Sequence, residues 1–150
     1  MTTLQLDAFL PYRLSIASNR VSGVIATAYQ ALFGLKIPEW RLVCVLAEGG
    51  GMSQQALGVA TRMDKVMVSR AAIALVDRDL VERAPNPGDQ RSHLLSLSPL
   101  GEQLYEQIAP KALEIERALF ADFSAAERTT LEAMLLRLEA AAEAYEADQT

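Results

Sequence analysis

Apolar side chains recur every three or four residues through most of this 150-residue chain, which predicts a mostly helical protein. Over residues 14–32 they form one continuous seam, and Pro11 before it and Gly34 after it suit the two ends of a long helix. The next helix begins at Pro38 and extends to about Glu48, and its apolar residues lie on every side. We therefore expect this second helix to be buried between two layers.

The C-terminal third contains two further helical seams. Residues 98–99, Ser-Pro, combine an N-cap with a proline at the first helical position, and the seam that follows begins at Leu100. Pro110 interrupts this seam, so we expect a kink there. Residues 124–127 form a capping-box pattern, and the last seam then extends over residues 131–145. One small lobe cannot bury these seams together with the N-terminal one, which indicates a second copy of the chain as partner.

The middle of the chain, residues 52–98, is divided into shorter elements. Ser53 suits the N-cap of a short helix, and Asp64 suits the N-cap of a longer helix from Lys65 to roughly Asp79. Because so short a connection joins the two helices, they predict a helix-turn-helix.

Two short apolar segments, Leu80–Ala84 and His93–Leu97, follow and have the length of β-strands. The loop between them, residues 85–91, contains two prolines and a glycine and ends in a cation. A small hairpin directly after a helix-turn-helix is a winged helix. The usual partner of a winged helix is double-stranded DNA.

The longer helix of the pair has two different faces. Its core-facing residues recur at helical spacing: Val68, Ala72, Leu75 and Val76. Its other face carries Lys65, Val66, Ser69, Arg70 and Ile73. In this motif that end of the helix enters a major groove, where polar groups read base edges and apolar ones meet thymine methyls. Exposed cations most often form only a solvated surface, but the helix before them and the wing after them favour DNA contact.

Several segments together resemble the multiple-antibiotic-resistance regulator (MarR) family, over nearly the whole chain. They are residues 37–43, 64–70, 80–83, 89–91 and 97–101, of which the Asp-x-Arg at 89–91 is the most specific. Asp79 stands where the family usually ends this helix with glycine, and aspartate tolerates a left-handed backbone better than most residues.

The resemblance implies one MarR-type domain over residues 1–150, with a winged-helix lobe at about 36–98 and dimerisation helices at about 4–34 and 99–146. It also implies a homodimeric transcription regulator, often a repressor, on a pseudo-palindromic operator, with the wing arginine in the minor groove. The residues expected to contact DNA are Ser53, Lys65, Val66, Ser69, Arg70, Asp89 and Arg91.

The net charge of −5 is unusual for a DNA-binding protein, so its distribution matters. Residues 1–51 and 52–98 each have a net charge of +1, whereas residues 99–150 carry four cations and eleven anions. Phosphate contacts need only local cations, and the acid lies in the C-terminal helices. We expect modest non-specific affinity for DNA.

Catalytic and metal chemistry find little support, and no cofactor is expected. The single histidine, His93, and the single cysteine, Cys44, fall on different elements, so they form neither a zinc site nor a nucleophile pair. Cys44 is interpreted as a small core residue rather than an oxidation sensor, since a reactive thiol needs exposure and a nearby cation. A chain with one cysteine, no apolar run of about 18 residues and no basic leader is expected in the cytoplasm, away from membranes.

Two further interpretations stay open. Members of this family often bind small phenolic or carboxylate effectors between the first two helices and the long C-terminal helix, and the candidates for a small aromatic effector here are Tyr12, Arg13, Trp40 and Arg41. Tyr12 and Trp40 are equally compatible with an ordinary core role. The alternative function is a winged-helix protein- or ligand-binding module without DNA binding, which the acidic total charge favours and the cations at 65, 70 and 91 disfavour.

Overall fold

The computed structural model of the protein describes all residues, Met1–Thr150, and is mostly helical with one two-stranded antiparallel sheet. A 3₁₀ turn at Leu6–Ala8 precedes the helices and strands. These are α1 (Leu10–Ala26), α2 (Gln30–Phe33), α3 (Ile37–Gly49), α4 (Gln54–Thr61), α5 (Lys65–Asp77), β1 (Val81–Pro85), β2 (His93–Leu97), α6 (Pro99–Leu119) and α7 (Ala125–Gln149). The chain divides into two compact units, Met1–Leu113 and Glu114–Thr150. The winged-helix class and the two-stranded wing were predicted correctly.

The first long helix is shorter than its apolar seam predicted. It ends at Ala26, and the chain turns through residues 27–29 before the single turn of α2. The Thr27 hydroxyl donates to the Val24 carbonyl at 2.7 Å, and Tyr29 is 2% exposed with its ring against Trp40. The prediction of one helix to Gly34 was therefore wrong, because burial of Tyr29 overrides the local periodicity. Gly34 itself has φ +64° and ends α2, as a C-terminal glycine should.

Helix α3 forms the centre of the first unit. Its apolar face is fully covered, with Leu42 and Val43 at 0% exposure, and it packs against both α4 and α5. The Glu39 carboxylate turns back to accept the Lys36 backbone N–H at 3.3 Å, which satisfies a free donor at the start of the helix. On the other side Cys44 and Val45 are only half-buried and Ala47 is exposed, so the prediction of a helix buried on every side was wrong for that side.

The helix-turn-helix is delimited by two side-chain caps, as predicted. Ser53 Oγ accepts the Ala56 N–H at 3.1 Å, and Asp64 Oδ1 accepts the Met67 N–H at 2.8 Å. Arg62 adopts a left-handed conformation with φ +56°, which lets the chain reverse between the two helices. Ser53 therefore determines where α4 begins, and Arg62 and Asp64 determine where α5 begins.

Helix α5 ends two residues earlier than predicted, at Asp77, and Asp79 is left-handed with φ +59°. The Asp79 N–H donates to the Val76 carbonyl and the Leu80 N–H to the Leu75 carbonyl, which is the Schellman pattern. The left-handed position usually held by glycine is therefore occupied by aspartate, as the sequence indicated.

The strands β1 and β2 pair in a single register, with Val81 opposite Leu97 and Pro85 opposite His93. Both strands lie within one residue of their predicted positions. An isolated bridge adds Met52 to the sheet, since its N–H and carbonyl both bond to Leu95, at 2.9 and 2.7 Å. This bridge connects the wing to the chain just before α4.

Helix α6 begins where predicted, with the Ser98 hydroxyl accepting the Gly101 N–H at 3.0 Å. Leu100 was predicted to pack in its seam, but it is 51% exposed, and Gly101 is buried in its place. A Cβ at Gly101 would collide with the Leu80 carbonyl oxygen, so this position requires close backbone contact that periodicity cannot reveal. The helix continues through Pro110, and the kink predicted there stays a prediction.

The second unit contains the end of α6 and all of α7. Ser124 and Glu127 form the predicted capping box, with bonds of 3.0 and 2.9 Å, and these bonds lower the pKa of the Glu127 carboxyl. Arg128 lies 5.2 Å above the Phe120 ring. No residue of α7 is buried, although its apolar seam includes Leu131, Met134, Leu135 and Leu138. None of the helices in the fold is long and apolar enough to span a bilayer.

Candidate nucleic-acid interface

An open groove of about 580 Å³ lies where the start of α4, the start of α5 and the wing meet. Its charged lining residues are three cations, Lys65, Arg83 and Arg91, and one carboxylate, Asp89. Polar groups from α4, Ser53 among them, complete the lining. Because cations outnumber anions here, this groove favours an anionic partner even though the chain as a whole is acidic.

Four of the seven predicted DNA-contacting residues border this groove: Ser53, Lys65, Asp89 and Arg91. The other three lie on α5 outside it. Val66 is 57% exposed, Arg70 is exposed and Ser69 is half-buried. At 3.6 residues per turn, the α5 residues from Lys65 round to Arg70 occupy an arc of about 140°, opposite the buried Leu75 side. The predicted residues therefore form one outward face of α5 and one side of the adjoining groove.

The wing loop is held by four side-chain hydrogen bonds, one of which is a 3.5 Å bond from Ser92 Oγ to the Asp89 carbonyl. Asn86 Oδ1 accepts the Gly88 N–H at 3.0 Å, and Asn86 Nδ2 donates to Ser92 Oγ at 2.9 Å. Asp89 Oδ1 accepts the backbone N–H of Arg91 at 2.9 Å. Asp89 thus contacts the backbone amide of Arg91 and not its guanidinium. The loop backbone is thereby fixed while the Arg91 guanidinium stays free.

Two ionisable residues of the groove were not predicted from the sequence, Arg83 and His93. Neither belongs to the Asp-x-Arg motif, and nothing in their local sequence separates them from ordinary strand residues. Only the strand register reveals them, because it decides which side chains of the wing share a face with Leu95.

The comparisons with known proteins agree with this geometry. The model of the MarR family matches residues 33–92. A probable transcriptional regulator from Pseudomonas aeruginosa has a solved structure that is 33% identical, covers 89% of this chain and 99% of its own, and superposes with a TM-score of 0.81. The chain belongs to the MarR family.

Two further proteins similar to this chain are regulators whose names state more about their roles. The transcriptional repressor NicR of Pseudomonas putida is 29% identical over 64% of this MarR-family chain. The chain spans about three fifths of the length of the first curated relatives it matches, 61% in the case of NicR. The structure of BpsR from Bordetella bronchiseptica, whose DNA binding is regulated by 6-hydroxynicotinic acid, is 25% identical, with a TM-score of 0.78 over 87% of this chain and 98% of its own.

A second cavity in this MarR-family protein, of about 360 Å³, lies between α1, α3 and the end of α4. Two of the predicted effector residues, Trp40 and Arg41, line it, whereas Tyr12 and Arg13 do not. The Trp40 ring is stacked between Tyr29 and Tyr105, with centroids 5.3 and 5.9 Å away. Both faces of the indole are thus occupied, and the core interpretation of Trp40 holds alongside its place at the cavity wall.

The thiol of Cys44 also lines this cavity and is half-buried. Burial raises the pKa of the Cys44 thiol to about 12, and the nearby Glu48 carboxylate acts in the same direction. The thiol therefore stays protonated through the neutral range, although Arg41 lines the same cavity. Among the described residues, no group of three His, Cys, Asp or Glu side chains comes together in a way that could hold a metal ion.

We predict that Cys44 in the native protein reacts far more slowly with iodoacetamide at pH 8 than after unfolding in urea. The reason is that the thiolate is the reactive form, and a raised pKa suppresses it below about pH 12. Cys44→Ser should accordingly leave DNA affinity and its response to peroxide unchanged. If peroxide released DNA from the native protein but not from this variant, Cys44 would be an oxidation sensor.

Proposed function

We propose that this protein is a DNA-binding transcriptional regulator that reads operator DNA through α5 and the wing. The observation that carries the proposal is the groove between the start of α4, the start of α5 and the wing, which three cations line. In this motif the start of the second helix enters the major groove, and the exposed Val66 and Arg70 are suited to reading base edges there.

The wing arginine suits a different part of the duplex. Arg91 is exposed near the end of a loop whose backbone is held by Asn86 and Asp89, so its planar, permanently charged group projects from a defined base. Such a group fits a narrow minor groove, where the potential is enhanced and the base code is degenerate. We therefore expect Arg91 to contribute mainly to the affinity for DNA, and the outward face of α5 to determine the sequence preference.

Two substitutions separate these roles. Arg91→Ala should weaken binding to all duplexes and reduce the salt dependence by about one ion. Arg70→Ala should cost about 1–3 kcal/mol and relax preference at one position of each half-site, with half-sites about 10 bp apart or a multiple of that. Fluorescence anisotropy across a salt series, with a duplex selected from a random pool, measures both effects.

Lys111→Ala is the matched control, because it removes one exposed cation that does not border the groove. It should leave affinity within the error of the native protein. Were both arginine variants to bind like this control at low salt, the DNA-binding assignment would fail. The chain would then be a winged-helix module for a protein or ligand partner.

We further propose that the regulator is a homodimer joined through its N- and C-terminal segments. Helix α7 has 25 residues and none of them is buried, although its seam is apolar. The N-terminal segment likewise leaves Leu4, Leu6 and Leu10 between 51% and 78% exposed. Apolar surfaces of this extent on a soluble helical domain usually mark an interface, and a second copy supplies the matching surface by symmetry.

Leu138→Asp should dissociate the dimer or unfold the chain, since it would bury an unpaired charge in that interface. Ala140→Asp is the control, because it places the same charge about 180° away on the same exposed helix. Sedimentation velocity at micromolar concentration compares the two. A native protein that sediments as a folded monomer would rule out the homodimer.

The regulator is proposed to act as a repressor that a small aromatic acid releases. NicR is named a repressor, and BpsR responds to 6-hydroxynicotinic acid, an aromatic carboxylate. The 360 Å³ cavity is within the usual size of small-ligand sites and contains one guanidinium, that of Arg41. Burial raises the pKa of the Tyr29 hydroxyl on its wall, and the Arg41 charge opposes this shift. An arginine beside buried aromatic rings suits a ligand with a ring and a carboxylate.

Trp40 is the only tryptophan and lines this cavity, so its fluorescence reports directly on occupancy. Titration with 6-hydroxynicotinate should change the emission of the native protein. Arg41→Gln should weaken this response at least tenfold through loss of a charge-assisted hydrogen bond, whereas Arg13→Gln, outside the cavity, should not. Equal responses from the two variants would place the ligand elsewhere.

A further inference from the structure

His93 occupies a position in the groove that the proposed function does not yet explain. It is the only histidine in the chain, it is exposed, and it lines the same groove as Lys65 and Arg91. A histidine side chain ordinarily titrates near pH 6.5 and is therefore the residue whose charge changes within the physiological range.

The strand register decides where His93 points. It lies opposite Pro85, and Arg83 lies opposite Leu95, so all four side chains are on one face of the hairpin. Leu95 is 1% exposed, whereas Arg83, which lies opposite it, and His93, which lies one pair nearer the loop on the same face, are exposed. Residues in this diagonal arrangement are about 7–8 Å apart, close enough for both to contact one phosphate group.

The groups that face His93 come from α4, α5, β1 and the loop, and each of these except α4 contributes a charged one. Helix α4 contributes only uncharged groups, α5 contributes Lys65, β1 contributes Arg83, and the loop contributes Arg91 and Asp89. Asp89 is the only carboxylate that lines the groove, and no ion pair joins it to His93. An imidazolium here therefore lacks an anionic partner of its own until a phosphate enters.

We propose that His93, together with Arg83, forms a proton-linked phosphate contact on the wing, so that DNA binding tightens as the pH falls from 8 to 6. The inference rests on the proposed DNA-binding function and deepens it. The anion favours the protonated imidazole, so binding takes up a proton at His93, and by linkage a lower pH favours binding. When the ring is neutral, only Arg83 holds the phosphate.

The experiment measures affinity for a 30-bp duplex, selected by the protein itself, at pH 8.0, 7.0 and 6.0 and at several salt concentrations. The native protein should bind about two- to fivefold more tightly per protomer at pH 6.0 than at pH 8.0, the strength of an exposed ion pair. Its salt dependence should also steepen by about 0.9 per protomer, because one more phosphate is neutralised.

Three variants test whether His93 is the source. His93→Gln should bind with the same affinity and salt dependence at all three pH values. His93→Arg should bind at pH 8.0 at least as tightly as the native protein does at pH 6.0, and without pH dependence. Arg83→Gln should weaken binding at every pH while the pH dependence remains.

The outcomes distinguish this inference from the proposed function. Binding that does not change with pH, or a pH dependence that survives in His93→Gln, would overturn the role of His93 and leave DNA binding in place. Failure of the native protein to bind any duplex at pH 6.0 would instead overturn DNA binding itself, and this inference with it.

Discussion

The hydrogen bonds of the Ser98 hydroxyl are the interactions on which the positions of α5 and the wing depend. The hydroxyl donates to the Asp79 carbonyl at 2.6 Å and accepts the Gly101 N–H at 3.0 Å, while the Ser98 N–H donates to the Leu80 carbonyl. The end of α5, the end of the wing and the start of α6 thus meet at one residue, which is only 4% exposed. Losing this hydroxyl would leave buried backbone groups without partners, a cost of about 1–3 kcal/mol each. The orientation of the wing relative to α5 follows from this junction.

Most acidic residues of the protein lie in a different part of the chain from the cations of the groove. The acidic residues that give the protein its net charge of −5 are concentrated in residues 99–150, whereas the groove at the wing contains three cations and one carboxylate. Electrostatic attraction to DNA falls off over about 8–10 Å at physiological salt, so local charge matters more than the total. An acidic C-terminal part also discourages unproductive contacts with nucleic acid.

Much of this fold could be predicted from the sequence because its signals are local. Caps at Ser53, Asp64 and Ser124 and the turn residues at 85–91 identify helix starts and the hairpin wherever the chain places them. The wrong predictions concern positions where contacts between residues distant in sequence determine the structure. Tyr29 ends α1 early by packing on Trp40, and Gly101 is buried instead of Leu100 because it meets the Leu80 backbone. In the candidate site, Arg83 and His93 were missed for the same reason, since strand register is a tertiary property.

The bridge between Met52 and Leu95 has a mechanical consequence for the wing. A slip of one residue would turn Leu95 outward and break both of its bonds to Met52, so the base of the hairpin is anchored on two sides. Beyond Leu95 only two strands remain, and the loop ending at Arg91 projects from them. Between the anchored base and the loop backbone, which Asn86 and Asp89 hold, the two strands pair only with each other. In the proposed complex with DNA, bending of these two strands would let Arg91 follow variations in minor-groove width from one duplex to another without disturbing α5.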